Sequence, residues 1–235
     1  MTGYITVSIF PRWGTDILKN TRVHFLSNSV VLPTDYLEGD YDVIWTNLID
    51  NAFVSPHGRL HRKEKASTLS ACKFDGLYIG GRIEPQEWLV IEVGRTTQIS
   101  KQTKDRQKLV EHCLRILNYR RWYLGIRANL HGQALVSWLE KFPVWGIQCR
   151  GPEIEIMRFC WLTRGLGVVT TFASAFPNHV TRLQSLYGIL GEIHCAAVSY
   201  RSECVEALEM ANRYLGVREE LCWALGYVTR ADGWK

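Results

Sequence analysis

The sequence predicts an α/β fold in which helices flank a mixed sheet and further helices follow at the C-terminal end. Two observations lead to this prediction. Short apolar runs bounded by Gly and Pro have the pattern of strands, and the segments between them repeat apolar residues at helical spacing. Of the 235 residues, 46% are hydrophobic and 22% are charged, which excludes a disordered tail or a fibrous repeat. We expect one domain over residues 1–235, because the sequence has no repeat and no long linker.

The first elements are predicted to be a helix and a hairpin. In Asp40–Phe53 most apolar residues fall on one helical face, so we expect a helix. Ser55–Ser70 combines Pro, Gly and basic residues with little apolar periodicity, which is typical of a loop or a poorly ordered arm. The runs Cys72–Ile79 and Glu87–Val93 are expected to pair as a hairpin. Apart from Glu92, residues Trp88–Val93 of the second run are apolar on both faces, which predicts a strand buried on both sides.

A long helix is predicted over Lys101–Arg121, because its apolar residues gather into one arc. That arc comprises Leu109, Val110, Cys113, Leu114, Ile116 and Leu117. A second helix is expected around Gln133–Lys141. The rest of the chain predicts three strands and then two helices, which are, in order, Val144–Arg150, Ile154–Leu162, Val168–Phe172, Val180–Ile193 and Glu203–Leu215.

Positive charge is concentrated on the long helix. The formal net charge of +5 is too small to identify a nucleic-acid-binding protein, yet residues 101–127 hold eight Lys or Arg against Asp105 and Glu111. Such a row of cations is typical of a solvated helix face, and it also suits contacts with phosphates. The polar arc carries Lys101, Lys104, Lys108, His112 and Arg115. We expect nucleic acid as a partner, bound by Lys101, Lys104, Lys108, Arg115, Arg120, Arg121, Arg62 and Lys63.

Two aromatic residues follow these cations, and the sequence leaves their role open. Trp122 and Tyr123 offer flat surfaces on which bases could stack, or they pack in the core as aromatic residues usually do. The seven cysteines are an odd, scattered set without a CxxC pair, which predicts reduced thiols and an intracellular compartment, cytoplasmic or nuclear. No apolar stretch reaches about 20 residues, so neither export nor a membrane segment is expected.

Two carboxylates lie within apolar strand patterns. Asp75 and Glu92 fall on the two strands of the predicted hairpin. Burying a lone carboxylate is costly unless a cation, a metal or several donors offset the desolvation. Two carboxylates on adjacent strands suit Mg²⁺, which takes one or two of them, keeps several waters and binds phosphate oxygens. The alternative is structural, with Asp75 in an Asp-Gly turn and Glu92 paired with Arg95 or a helix lysine.

The order of these elements, from about Asp42 to Phe172, resembles the PD-(D/E)XK superfamily of restriction-endonuclease-like folds. The resemblance implies a nuclease-like core over residues 40–175 and a helical extension over 178–235. It assigns Asp75 as the metal-binding aspartate and Glu92 as the acidic member of the E-x-K signature, with Mg²⁺ or Mn²⁺ as the cofactor. Gly94 stands where the family usually places its lysine. Some members carry that lysine on the following helix, where the candidates here are Lys104 and Lys108.

Asp42, on the first helix, resembles an acidic residue that some members add to the metal shell, although an acidic residue in a first helical turn is ordinary. The region from Phe142 onward is also similar to fungal nuclease-like chains of unassigned substrate. Three functions follow: a metal-dependent endonuclease with a degenerate E-x-K motif, a catalytically inactive nuclease-like fold that binds nucleic acid or a protein, or a scaffold domain joined to a partner through its C-terminal helices.

Overall fold

Within the part of the chain that the structure describes, six strands form one sheet, and their order across the sheet is their order along the chain. The computed structural model describes residues 38–53, 58–80, 87–94, 99–126, 130–162, 165–176 and 183–224. The strands are β1 (Gly58–Ala66), β2 (Lys73–Gly80), β3 (Glu87–Gly94), β4 (Val144–Arg150), β5 (Glu153–Leu162) and β6 (Gly165–Ala175). β3 and β4 run parallel, whereas every other neighbouring pair is antiparallel. The sheet is therefore mixed, as predicted.

In the described residues four helices accompany the sheet, and their apolar faces build a core on each side of it. They are α1 (Glu38–Phe53), α2 (Ile99–Ile126), α3 (Gly132–Glu140) and α4 (Leu183–Ala224). One core packs α1 and α4 against the sheet, and the other packs the apolar arc of α2 against the opposite face. The predicted architecture of a sheet flanked by helices, with a helical C-terminal element, is confirmed.

Strand β3 lies between β2 and β4, and all eight of its residues are buried. Leu89 and Ile91 belong to the core beneath α1 and α4, whereas Val90 belongs to the core beneath α2. Because side chains alternate along a strand, Glu92 shares the α2 side with Val90. The predicted strand with two buried faces is confirmed, and it presents its one internal carboxylate to the basic helix.

The prediction of a loop over Ser55–Ser70 is wrong, since residues 58–66 form the edge strand β1, which pairs antiparallel with β2. An edge strand is held by backbone hydrogen bonds on one side, and charged side chains keep it from pairing with other chains. Its basic residues therefore hide the strand from a search for apolar alternation. Arg62 on β1 forms an ion pair with Asp50 of α1.

The prediction of two C-terminal helices is also wrong, because α4 runs without interruption from Leu183 to Ala224. Residues 194–202 contain neither Gly nor Pro, so nothing breaks the helix there. Ala197, Tyr200 and Cys204 continue the buried face that Ile189 and Ile193 begin. No helix in the described part of the chain, α4 included, carries the sustained apolar stretch that a membrane crossing requires.

Candidate functional site

A row of polar side chains crosses the sheet near the carboxyl ends of the parallel strands β3 and β4. Glu92 is in register with Gln148, and Gln148 is in register with Glu155 of β5. Residues in register share a face, so all three lie on the side that α2 covers. In open α/β sheets, ligands bind outside the carboxyl ends of the strands, so this end of the sheet is the candidate site.

Glu92 is the least expected member of the row, since it is only 5% exposed and carries a carboxylate. Burial raises its pKa to about 7; the neighbouring carboxylates Asp75 and Asp105 add to the rise, and Lys108 opposes it. The Nζ of Lys108 lies 2.5 Å from Oε1 of Glu92. Apart from this ion pair, Oε1 has no hydrogen-bond donor within the described residues. Glu92 is thus a buried carboxylate whose one charged partner in that part of the chain is Lys108.

Lys108 reaches from α2 to both strands of the hairpin. Besides its ion pair with Glu92, its ammonium donates a hydrogen bond to the backbone oxygen of Lys73 at 2.8 Å and lies 4.8 Å from the centre of the Phe74 ring. A carbonyl, a carboxylate and a ring therefore fix the charge at one point beside β2 and β3. Of the two lysines that sequence reasoning singled out, Lys108 is brought to Glu92. Lys104 is exposed and makes no ion pair with the described residues.

Asp75 lies on β2 just beyond the last register pair with β3, which joins Gly76 to Ile91. Its Oδ2 accepts a hydrogen bond from the backbone N–H of Val93 at 2.8 Å. The side chain therefore pairs a backbone donor of β3 beyond the last backbone pair of the two strands. The Asp-Gly turn of the structural alternative is wrong, because both residues lie inside β2. The other part of that alternative, Glu92 paired with a helix lysine, is confirmed by the ion pair with Lys108. The half-buried carboxylate of Asp75 sits close enough to raise the pKa of Glu92. The two predicted acidic residues therefore converge.

Gly94 occupies the position where the resemblance would place a lysine, and the space around it is tight. A Cβ at this position would lie 3.2 Å from the backbone oxygen of Cys149 and 3.6 Å from Cγ of Arg150. The first distance is shorter than ordinary van der Waals contact, and a backbone carbonyl yields less readily than a side chain. A lysine here would press on β4, which gives a physical reason for the glycine.

The rest of the polar row fastens the first turns of α2 to the sheet. Gln148 is fully buried and donates a hydrogen bond to the backbone oxygen of Gln102 at 3.1 Å. Arg106 grips Glu155 with two hydrogen bonds of 2.9 Å each. The pKa of Glu155 is lowered, chiefly because Arg106 hydrogen-bonds its charged form. These contacts hold α2 at a fixed height above the strands and so position Lys108.

Sequence reasoning missed a second buried pair, between Glu87 at the start of β3 and His112 of α2. Nε2 of His112 lies 2.8 Å from Oε2 of Glu87, and Ser67 and Thr68 donate to the same carboxylate. Burial opposes ionisation of Glu87, but the hydrogen bonds from His112, Thr68 and Ser67 together lower its pKa. The placement of His112 on the exposed basic arc is wrong. The available signal was its spacing, three residues after Leu109 and four before Ile116.

The cations predicted to bind nucleic acid divide into exposed and committed groups. Lys101, Lys104, Arg115 and Arg121 are exposed on α2, and Arg121 also lies over the Trp161 ring. Lys108 and Arg62 are held in the ion pairs described above. The prediction that Arg120 contacts phosphate is wrong, since it is buried and donates to the backbone oxygens of Phe142, Pro143 and Glu87. The side chains of Lys63 and Asp42 lie outside the described residues.

Of the two aromatic residues at the end of the basic helix, Trp122 is 50% exposed, whereas Tyr123 is half-buried against the core that α1 and α4 form. Only Trp122 therefore offers an open face on which a base could stack.

Comparison with protein-family models, with curated proteins and with solved structures gave no match. Within the described ranges, no three His, Cys, Asp or Glu side chains come together as a metal-binding group. A metal at this place would therefore rely on Asp75 and Glu92, with water and substrate as its other ligands.

Proposed function

We propose that the protein is a metal-dependent phosphodiesterase of the nuclease-like kind, acting on nucleic acid. The observation that carries the proposal is the convergence of Asp75, Glu92 and Lys108 at the carboxyl end of β3. Two carboxylates on adjacent strands and one ammonium on the covering helix form a set that a purely structural role does not require. Titratable groups with shifted pKa values in such a place are typical of functional sites.

The donor set suits Mg²⁺ or Mn²⁺. Hard oxygen ligands and a small number of carboxylates are what these ions take, and they complete their shell with water and phosphate oxygens. Zinc fits less well, because its sites use four ligands rich in His and Cys. When bound, such an ion would polarise the phosphate and supply a more acidic water. The residues that would hold it are Asp75 and Glu92.

Lys108 would orient the attacking water or stabilise the charge of the phosphate. An ammonium has three donors and no acceptor, so it can direct a water or neutralise a phosphate oxygen but cannot act as the base while protonated. Its side chain is one third exposed, which leaves a path to the site from solvent. The contacts with Glu92 and the Lys73 carbonyl hold it without blocking that path. A lysine on the helix would then serve in place of one at position 94.

The surface beside the site supports a polyanionic substrate. Lys101, Lys104 and Arg115 are exposed on α2, the helix that carries Lys108. Lys and Arg contacts with phosphates supply most of the non-specific affinity for nucleic acid. A chain lying along this helix would present its phosphates to the site at the end of β3.

Calorimetric titration of Mn²⁺, with a parallel cleavage assay on single- and double-stranded DNA and RNA, tests the proposal. We expect the wild type to bind the ion and to cleave, and we expect Asp75→Asn and Glu92→Gln to lose at least tenfold in Mn²⁺ affinity and to lose cleavage. Glu206→Gln is the control, because Glu206 of α4 forms an exposed ion pair with Lys141, which follows the last residue of α3. A wild type that binds no Mn²⁺, or acidic variants that bind it as well as the control, would contradict the proposal.

One observation favours a second function, in which the fold binds nucleic acid without cutting it. Lys108 already neutralises Glu92, and Gly94 leaves the signature position empty of charge. An ion pair of this kind could be all that remains of a catalytic site. The same experiment separates the two functions, since this one predicts salt-sensitive binding with no cleavage in Mn²⁺.

A further inference from the structure

Arg150 ends β4 directly beside Gly94 of β3. The two residues are in register, and Cγ of Arg150 lies 3.6 Å from where a Cβ of residue 94 would be. The stem of the arginine therefore borders the space that a side chain at position 94 would enter. Because side chains alternate along strands, Arg150 shares its face with Gln148, and Gly94 shares the same face with Glu92. The guanidinium belongs to the side of the sheet on which Glu92 and Lys108 meet.

The donors of Arg150 are largely uncommitted. Its Nε is buried without a hydrogen-bond acceptor within the described residues. Its two carboxylate neighbours, Glu153 and Glu155, stand at 3.7 and 3.8 Å, which is too far for hydrogen bonds. Glu155 is already gripped by Arg106 at 2.9 Å. The side chain of Arg150 is nonetheless 27% exposed, so solvent and solutes reach it.

We propose that Arg150 is the phosphate-binding cation of this site and supplies, from β4, the positive charge that Gly94 lacks. The inference rests on the proposed function, because it takes the substrate to be a phosphodiester. The backbone positions of Arg150 and Glu92 are separated by two residues along a strand and one strand across, about 8 Å, which an extended arginine together with a bound phosphate spans. A guanidinium presents paired donors that match two phosphate oxygens.

A purely structural role would have Arg150 tie the β4–β5 turn through Glu153 and Glu155. The long ion-pair distances argue against that role, because Arg106 already satisfies Glu155. An arginine kept for structure would be expected to donate hydrogen bonds at ordinary distances, as Arg106 and Arg120 do. Arg150 instead keeps donor capacity at the end of the sheet where the carboxylates converge.

The test measures binding of a fluorescent single-stranded oligonucleotide by anisotropy in Ca²⁺, over a series of salt concentrations, together with KM and kcat in Mn²⁺. We expect Arg150→Gln to weaken binding about tenfold, since it removes a charge-assisted hydrogen bond. The plot of log affinity against log salt concentration should become less steep by about 0.7, the contribution of one phosphate contact on a single strand. Arg150→Lys should keep the slope and recover part of the affinity, because it keeps the charge without the fork.

Arg158→Gln is the matched control, since Arg158 of β5 pairs with Glu203 of α4 on the opposite face of the sheet, away from the site. We expect it to lower the melting temperature and to leave the salt slope unchanged. The inference is overturned if Arg150→Gln binds with wild-type affinity and slope, or if Arg158→Gln reproduces the loss of slope. If the wild type does not cleave but Arg150→Gln still reduces the magnitude of the salt slope, the phosphate contact of Arg150 stands and the proposed hydrolysis is wrong. Failure of the proposed function and failure of this inference are therefore distinguishable.

Discussion

The ammonium of Lys108 stands 2.5 Å from Oε1 of Glu92, and the two residues come from different elements, the basic helix α2 and the buried strand β3. Burial alone would keep the Glu92 carboxyl protonated over much of the physiological pH range, whereas the lysine favours the charged form. The balance of these two effects sets the state in which the site awaits a ligand. Three groups, Lys108, Asp75 and Asp105, adjust that balance in opposite directions.

The first prediction concerns the titration of Glu92 in the metal-free protein. Its pKa should lie at about 7, because burial disfavours the charge. Lys108→Met should raise that pKa further, since it removes the favourable partner, and Asp75→Asn should lower it by removing a like charge. The side-chain carboxyl carbon of Glu92, followed by NMR across pH, reports the value directly. Lys104→Met is the control, and a wild-type Glu92 that titrates near 4.5 would contradict the prediction.

The second prediction concerns the packing of α2 on the sheet at Gly146. A Cβ there would lie 2.7 Å from Cδ2 of Leu109 and 2.9 Å from Cε2 of Phe159, so Gly146→Ala forces helix and sheet apart. We expect a loss of about 1–3 kcal/mol in the free energy of unfolding, as for other overpacked cores. Gly188 of α4 is exposed with open space around it, and Gly188→Ala should stabilise by about 0.5–1 kcal/mol. Urea denaturation measures the free energy of unfolding of both variants. Equal changes in the two variants would contradict the packing argument.

Much of the fold could be predicted from the sequence because burial leaves a periodic trace. The doubly buried β3 and the apolar arc from Leu109 to Leu117 are confirmed, since each element exposes or buries residues at its own period. The edge strand β1 left no such trace. Its stability comes from backbone pairing with β2, and its side chains are the charged ones that an edge requires.

The site was predictable to the extent that its residues looked anomalous in their local sequence. Asp75 and Glu92 stand out as charges within apolar strands, and the structure brings them together with Lys108. His112 and Arg120 were assigned to the wrong face because what buries them is distant in the chain. Their partners include the side chain and the backbone oxygen of Glu87, which no local pattern connects to α2.

The third prediction concerns the buried pair of Glu87 and His112. Glu87→Gln should lower the free energy of unfolding at pH 7 by about 1.5–3 kcal/mol, the usual contribution of hydrogen bonds to a charged group, because His112, Ser67 and Thr68 all contact the carboxylate. The folded pKa of Glu87 lies below its ordinary value of 4.5, so the folded state binds fewer protons there. The stabilisation should be complete above pH 4.5 and should be lost as pH falls through the folded pKa.

Denaturant unfolding of the wild type and Glu87→Gln at a series of pH values measures this difference. The difference in unfolding free energy between the two proteins should narrow as pH falls below 4.5. Glu192→Gln on α4 is a suitable control, because Glu192 is exposed and should change stability little at any pH. A gap that widens toward acid pH would mean that the carboxylate is destabilising in the folded state.

The fourth prediction separates two arginines of α2 that the sequence treats alike. Arg120 is buried, donates to three backbone oxygens and lies 4.3 Å from the centre of the Trp88 ring, whereas Arg115 is exposed. Arg120→Gln should destabilise the fold by about 1–3 kcal/mol or more, because it leaves buried acceptors unpaired. Its guanidinium is out of reach of a phosphate, so the salt dependence of oligonucleotide binding should not change.

Arg115→Gln should keep the stability of the fold and make the salt dependence of single-strand binding less steep by about 0.7. Thermal unfolding and anisotropy titrations of both variants test the assignment, and a reduced salt slope in a folded Arg120→Gln protein would return Arg120 to the binding surface.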